Sequence, residues 1–144
     1  TVVPKENLNY IIGNPPFVGA RLMNAEQKAD INNVFSDWKN AGNLDYVSCW
    51  YKKSSDMMNG TTIRAALVST NSITQGDAVA TLWKPLFEND VHIDFAHPTF
   101  RWDSEAKIKA HVHCVIVGFS NDRLFCCLLG ILFKVFPFEF LKRV

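Results

Sequence analysis

Short apolar runs and segments of helical period alternate along this chain. Each run is a few residues long and bounded by glycine, proline or polar residues, which is typical of strands. The runs predict four strands, over residues 8–13, 63–69, 91–96 and 111–119. Between the first and third strands, apolar side chains recur every three or four residues and predict three helices, over residues 25–40, 43–59 and 77–87. Pro85 falls inside the third helix and is expected to kink or shorten it.

The order of these elements predicts an α/β domain. No helix is predicted between the last two strands, so they are expected to pair antiparallel. The segment that joins them, residues 97–109, contains Pro98 and several charges and is predicted to be a loop. A polar lip, Thr70, Asn71 and Ser72, follows the second strand.

The composition is that of one globular domain with its own core, since 48% of the 144 residues are hydrophobic and 20% are charged. The net charge of +1 gives no overall attraction to nucleic acid, so phosphate contacts would have to come from local patches or from elsewhere. The four cysteines lack Cys-x-x-Cys spacing, and no secretory signal opens the sequence. Together these features predict free thiols in a cytoplasmic protein.

A corner of four residues, Asn14, Pro15, Pro16 and Phe17, directly follows the first predicted strand. Proline fixes its backbone φ and has no N–H, so the pair holds the corner rigid and leaves nearby acceptors free of competition. The amide oxygen of Asn14 is suited to accept from an amino group, and the ring of Phe17 is suited to stack on a flat base. The alternative is an ordinary loop, because Asn-Pro dipeptides mark turns.

The corner resembles the catalytic motif of amino-group DNA methyltransferases. Four further segments resemble bifunctional restriction-and-modification enzymes, which carry a methyltransferase and a nuclease on one chain. They occur in the family's order, over residues 42–51, 66–76, 95–102 and 111–119. The resemblance covers about residues 8–119, and the ordered set is more specific than the corner alone.

The resemblance implies methylation of the adenine exocyclic amine (N6) in DNA, with S-adenosylmethionine as the methyl donor. It implies the C-terminal half of a Rossmann-like seven-stranded class I methyltransferase sheet, from the fourth strand onward, with an antiparallel final strand. The side-chain oxygen of Asn14 and the backbone carbonyl of Pro15 would accept the two amine N–H groups and localise the lone pair toward the donor. Phe17 would stack on the flipped base, and Phe100 would press on its other side.

The chain also departs from the family, because none of its glycines has the spacing of the glycine-rich donor loop. We therefore expect residues 1–120 to be a catalytic half-domain that is inactive when isolated. The donor site, the N-terminal half of the domain and a target-recognition domain would lie outside it. Residues 121–144 break the pattern with an apolar run over 124–133. This run favours a non-native tail, then a buried core helix, and last a membrane anchor.

Three other interpretations remain open at this stage. His111 and His113 alternate on one strand, with His92 and His97 in the neighbouring element, so a metal site is one alternative. The same corner would also suit a methyltransferase acting on RNA guanines or on protein glutamines, because all present a planar amine. The third is an inactive truncated fragment or remnant of such an enzyme.

Overall fold

A computed structural model describes residues 3–102 and 112–122 of the chain. Its strands are β1 (Tyr10–Gly13), β2 (Arg64–Thr70), β3 (His92–Trp102) and β4 (Val112–Ser120). Its helices are α1 (Ala25–Val34), α2 (Ser48–Met58) and α3 (Lys84–Glu88), the last preceded by a π-helical turn over Val79–Trp83. The predicted α/β class is confirmed.

The four strands form one mixed sheet in the order β1-β2-β4-β3. β1 and β2 are parallel, with Gly13 opposite Leu67, and α2 lies in the connection between them. β4 runs antiparallel to both β2 and β3. The prediction that the last two strands pair antiparallel is therefore confirmed. Because β1 and β2 are parallel, their carboxyl ends lie at the same edge of the sheet.

The core lies between one face of the sheet and the helices. Tyr51 of α2 stacks on Phe119 of β4, with ring centroids 5.2 Å apart, and meets Trp83 edge-on at 5.3 Å. The indole N–H of Trp83 donates to the carbonyl of Ile73 at 2.8 Å, so its polar group is satisfied inside the core. Burying each large apolar side chain contributes about 1.5–3 kcal/mol, and this cluster fixes α2 and the π-helical turn on the sheet.

The opposite face of the sheet carries apolar side chains that remain exposed. Tyr10 and Ile12 of β1 are 67% and 80% exposed, and Phe95 of β3 is 49% exposed. Phe95 lies over Gly118 of β4, where a Cβ would sit 2.1 Å from the ring. Within the described residues, this face therefore has no layer packed on it comparable with the helical layer on the other side.

The first helix is shorter than predicted, since α1 ends at Val34 rather than at Asn40. Phe35 leaves the helical conformation, and Asn40 has a φ of 62°, which a helix does not contain. Trp38 still packs against Phe35, at 5.1 Å between ring centroids, although a turn separates them. Phe35 and Trp38 keep the helical spacing of apolar residues because both rings face the core, although the backbone leaves the helix before them.

Two other boundaries also differ from the predictions. α2 begins at Ser48, and Asn43 closes a short 3₁₀ turn instead of capping the helix. The predicted loop over residues 97–109 is wrong up to Trp102, because β3 continues to that residue. A proline at position 98 is tolerated since β3 is an edge strand whose register shifts between His97 and Phe100.

The predictions for residues 103–111 and for the tail fall outside the described residues, apart from residues 121 and 122. Among the helices of residues 3–102 and 112–122, none has the length and apolar character needed to cross a membrane.

Candidate active site

The corner stands where β1 ends, at the carboxyl edge of the sheet. Asn14 follows Gly13 directly and is exposed, whereas Pro15 is buried and anchors the turn. Phe17 is partly exposed, so one part of its ring is accessible. This edge is where ligands bind in open α/β sheets, outside the carboxyl ends of parallel strands. The corner therefore presents an amide and an aromatic ring at the place where a substrate is expected.

The loop that follows the corner is tied to the segment that precedes α2. The backbone N–H of Tyr46 donates to the carbonyl of Val18 at 2.9 Å, and the N–H of Ala20 donates to Oδ1 of Asp45 at 2.9 Å. The second carboxylate oxygen of Asp45 accepts from the Ser72 hydroxyl at 2.5 Å. One side chain thus connects the loop after the corner to the lip after β2.

The role of Asp45 has no signal in the sequence. This residue lies inside the 42–51 segment that carried the family resemblance, but its partners are 25 and 27 residues away along the chain. Its side chain does not cap α2, which starts three positions later without a side-chain cap. A short polar residue near a helix start normally indicates a cap, so this function of Asp45 becomes visible only in three dimensions.

Phe100, the second predicted stacking residue, lies at the same edge of the sheet on β3. It is opposite Cys114 of β4, which is opposite Thr70 of β2. The ring is partly buried and meets His97 edge-on, with centroids 5.5 Å apart. Three strand spacings separate β3 from β1, about 14 Å across the sheet. Phe100 and the corner therefore lie at the same edge of the sheet. The rings of Phe17 and Phe100 would have to lean toward each other to enclose one base.

Three ionisable groups with a raised pKa lie on α2 or directly before it, and not in the corner. A hydrogen bond to Asp30 raises the pKa of Tyr46 to about 12. Burial raises the pKa of the Cys49 thiol to about 11 and the pKa of Tyr51 well above its usual value. The corner itself contains only an amide, two prolines and a phenylalanine. It therefore offers neutral hydrogen-bond acceptors rather than an acid or a base.

A cavity of about 440 Å³ lies beside the clamp formed by Asp45 and Ser72. Arg21, Gln75 and the first residue of α2, Ser48, also line it. The Ser48 hydroxyl is buried and makes no hydrogen bond within the part of the chain that the structure describes. Asp45 and Ser72 form part of the cavity wall, so any movement of the clamp also changes its shape.

The described histidines do not gather at one point. His92 of β3 is opposite Ser120 of β4. His113 lies on β4 seven residues before Ser120, opposite Arg101, so about 23 Å along the strand separates it from the position of His92, at 3.3 Å per residue. Within residues 3–102 and 112–122, no three His, Cys, Asp or Glu side chains come together as metal ligands would. The alternative of a metal site built on these histidines receives no support from the described residues, and His111 lies outside them.

Three of the matches to known proteins agree with one another. The model of the family described as MmeI, DNA-methyltransferase domain, matches residues 1–129. DNA methyltransferase A of Bacillus subtilis (strain 168) is 43% identical over 111 residues, which is 77% of this chain and 13% of that protein. The solved structure of the Type IIL restriction-modification enzyme MmeI in complex with DNA is 48% identical, with a TM-score of 0.74, over 79% of this chain and 15% of that chain. The chain therefore spans only a small part of the length of the proteins it matches.

Proposed function

The chain belongs to the MmeI DNA-methyltransferase domain family, and from that premise we propose that it holds the target adenine while a methyl group is transferred to N6. The observation that carries this proposal is the place of the corner. Asn14 is exposed at the carboxyl end of β1, buried Pro15 anchors the turn after it, and partly exposed Phe17 ends the corner.

The proposed chemistry needs two acceptors and no base. The adenine amine is a poor nucleophile because its lone pair is delocalised into the ring. We assign the side-chain oxygen of Asn14 and the backbone carbonyl of Pro15 as acceptors for its two N–H groups. Fixed acceptors localise the lone pair and stabilise the positive charge that develops on nitrogen as the N–CH₃ bond forms. The amine then loses one proton to solvent, so the neutral corner suffices.

DNA is the proposed substrate because the matched family is described as a DNA-methyltransferase domain and the matched structure is that of a restriction-modification enzyme in complex with DNA. An adenine inside a duplex must leave the base stack to reach the corner, at a cost of a few kcal/mol. Stacking on Phe17 would return about 1–3 kcal/mol of that cost. Phe100, at the same edge, is proposed to contact the other side of the base.

The proposed whole domain is a seven-stranded Rossmann-like sheet, of which this chain supplies the part from the fourth strand onward. The support is the strand order β1-β2-β4-β3, with a parallel pair followed by an antiparallel hairpin. The exposed apolar side chains of Tyr10 and Ile12 on β1 fit this proposal, since further elements of such a domain would cover them.

S-adenosylmethionine is the proposed donor. It would supply the methyl group from its sulfonium sulfur, whose S–CH₃ bond breaks as the N–CH₃ bond forms. The described residues do not fit a complete pocket for it. Gly60 and Gly76, the two described glycines with positive φ, lie in separate connections, after α2 and after the lip, and not together in one glycine-rich turn. We therefore assign the donor site to other parts of the domain and base no step on it.

The proposal is tested by replacing the matching 111 residues of Bacillus subtilis DNA methyltransferase A with the corresponding segment of this chain. The chimera is expected to transfer a tritiated methyl group from S-adenosylmethionine to adenine N6 in duplex DNA. Asn14→Ala should reduce the rate about 100-fold or more, since one preorganised group of this kind contributes that much. Asn9→Ala, at the other end of β1, is the matched control.

Three results would contradict the proposal. The first is label on cytosine. The second is full activity of the Asn14→Ala chimera. The third is no methyl transfer by a folded chimera that still binds its DNA.

A further inference from the structure

We propose that Asp45 is a positioning residue for the base-holding corner, acting through the loop of residues 17–20 and the lip after β2. This inference rests on the proposed function of the corner. Within the described residues, the hydrogen bonds of the Asp45 side chain go to Ala20 and Ser72 and not to the corner, so we assign it a positioning role and not a catalytic one. Its two carboxylate oxygens instead bind two different segments, which each border the carboxyl edge of the sheet.

The first oxygen holds the loop that carries Phe17. Oδ1 of Asp45 accepts from the N–H of Ala20, and the neighbouring Tyr46 N–H donates to the carbonyl of Val18. Two consecutive residues therefore bind the chain at both positions flanking Gly19. A Cβ built at Gly19 would sit 3.7 Å from Oδ1 of Asp45, which is the distance of an ordinary van der Waals contact. The loop has no strand partner of its own, and these bonds define its path.

The second oxygen holds the lip. The Ser72 hydroxyl donates to Oδ2 of Asp45, and Thr70 Oγ1 is 2.6 Å from the same hydroxyl. Thr70 is the last residue of β2 and is fixed by its pairing with Cys114. The sheet thus fixes the lip, the lip fixes Asp45, and Asp45 fixes the loop. The backbone that follows Phe17 is thus held relative to a strand other than the one that precedes the corner.

A capping role alone does not account for these contacts. The backbone carbonyl of Asp45 accepts from the N–H of Ser48 and shapes the start of α2, while the side chain turns away toward Ala20 and Ser72. A carboxylate accepts two such bonds at once, and bonds to a charged acceptor are the stronger kind. An error of about 1 Å in the placement of a reacting group costs about 100-fold in rate. A clamp beside the corner therefore bears directly on how a base is held.

Amide hydrogen exchange by NMR on the 144-residue chain tests the clamp. In Asp45→Ala the Ala20 amide should exchange about tenfold faster or more, and the Tyr46 amide should follow it. Amides of β2 should keep their protection. Asp45→Asn should retain most of the protection of the Ala20 amide, because its side-chain oxygen still accepts from Ala20. Asp30→Ala is the control, since Asp30 holds the Tyr46 hydroxyl without reaching the loop. Unchanged exchange at Ala20 in Asp45→Ala overturns the clamp.

The positioning role is tested on the same samples by adding adenosine and following the side-chain amide of Asn14. We expect a shift in the unsubstituted chain and in Asp45→Asn, and its loss in Asp45→Ala. If the Ala20 amide exchanges faster in Asp45→Ala while adenosine still shifts the Asn14 side-chain amide as before, Asp45 has only a structural role. No adenosine shift in the unsubstituted chain would count against the proposed function, while the exchange data would still decide the clamp.

A milder variant covers the case in which Asp45→Ala does not fold. Ser72→Ala removes one hydroxyl and should move the amide resonances of Ala20 and Asn14 through Asp45. Thr74→Ala removes a hydroxyl from the same turn, but that hydroxyl donates to the Asn71 carbonyl and not to Asp45. This variant should therefore leave both resonances in place. Equal effects of the two variants on Ala20 would overturn the proposal.

Discussion

The hydroxyl groups of Tyr51 and Ser69 share a hydrogen bond of 2.6 Å in the centre of the core. Tyr51 comes from α2 and Ser69 from β2, and both are 0% exposed. The bond is the polar link between the helical layer and the strand that carries the lip. Since neither group reaches water, each hydroxyl depends on the other for satisfaction.

Removing either hydroxyl should therefore destabilise the chain. We expect Tyr51→Phe and Ser69→Ala each to lower the free energy of unfolding by about 1–3 kcal/mol, because the partner is left buried and unpaired. The double variant should lose less than the sum of the two, since it leaves no orphan. Urea unfolding measures all three. Tyr46→Phe is the control, because its hydroxyl bonds Asp30 at the surface; an equal loss there would argue against this account.

The contact between Phe95 and Gly118 makes a second prediction about stability. A methyl group at position 118 would sit 2.1 Å from the Phe95 ring, so Gly118→Ala forces the ring or the strand to move. We expect a loss of about 1–3 kcal/mol, the usual cost of overpacking. Adding Phe95→Ala should recover most of it in thermal unfolding. A double variant no more stable than Gly118→Ala alone would show that strand geometry, and not the ring, sets the cost.

Much of this fold could be predicted because its strands keep a simple alternation. β2 buries Ala65, Leu67 and Ser69 and turns the residues between them to the other face, so period and structure agree. Boundaries were less accessible, because Trp38 keeps helical spacing after α1 has already ended. The bulge that carries β3 past Pro98 depends on its position at the sheet edge, which only the assembled sheet defines.

The candidate site divides in the same way. The corner is contiguous in sequence and follows a strand, so the chemistry proposed for it rests on residue types alone. Asp45 could not be assigned, because its contacts with Ala20 and Ser72 join three segments that meet only after folding. Phe100 was predicted from resemblance alone, and the strand register adds its place on the same edge as Thr70.

The raised pKa of Cys49 predicts a loss of stability at high pH. Burial raises its pKa from 9.0 to about 11, so the folded chain holds this proton more tightly than the unfolded chain. The corresponding stability is complete below pH 9 and is lost as the pH rises toward 11. Urea midpoints at pH 8, 9.5 and 11 should fall along this series, and less steeply in Cys49→Ala. Identical slopes for the two proteins would remove Cys49 as a cause.

The isolated chain is predicted not to bind the methyl donor tightly or to methylate DNA. No glycine-rich loop with the family's spacing occurs in its sequence, and the two described glycines with positive φ, Gly60 and Gly76, lie in separate connections. Calorimetry with the 144-residue chain and S-adenosylmethionine should show no saturable heat at micromolar concentrations. The chimera described above is the positive control. Saturable binding by the chain alone would place a donor site within it and require a different division of the domain.

Phe17 is predicted to contribute by stacking and not by filling the core. Phe17 is partly exposed, so truncation should leave the unfolding free energy nearly unchanged while it weakens the hold on a flipped base. We expect Phe17→Ala in the chimera to reduce methyl transfer roughly 5- to 150-fold, the equivalent of about 1–3 kcal/mol of stacking. Phe17→Tyr should retain most of the activity, because it keeps the aromatic face, whereas Phe17→Leu should not, because it keeps only the apolar volume. In DNA-binding measurements, replacing the target adenine by an abasic site should remove the difference between Phe17→Tyr and Phe17→Leu. If Leu performs as well as Tyr with adenine present, the ring acts as a hydrophobic wall and the stacking role assigned to it is wrong.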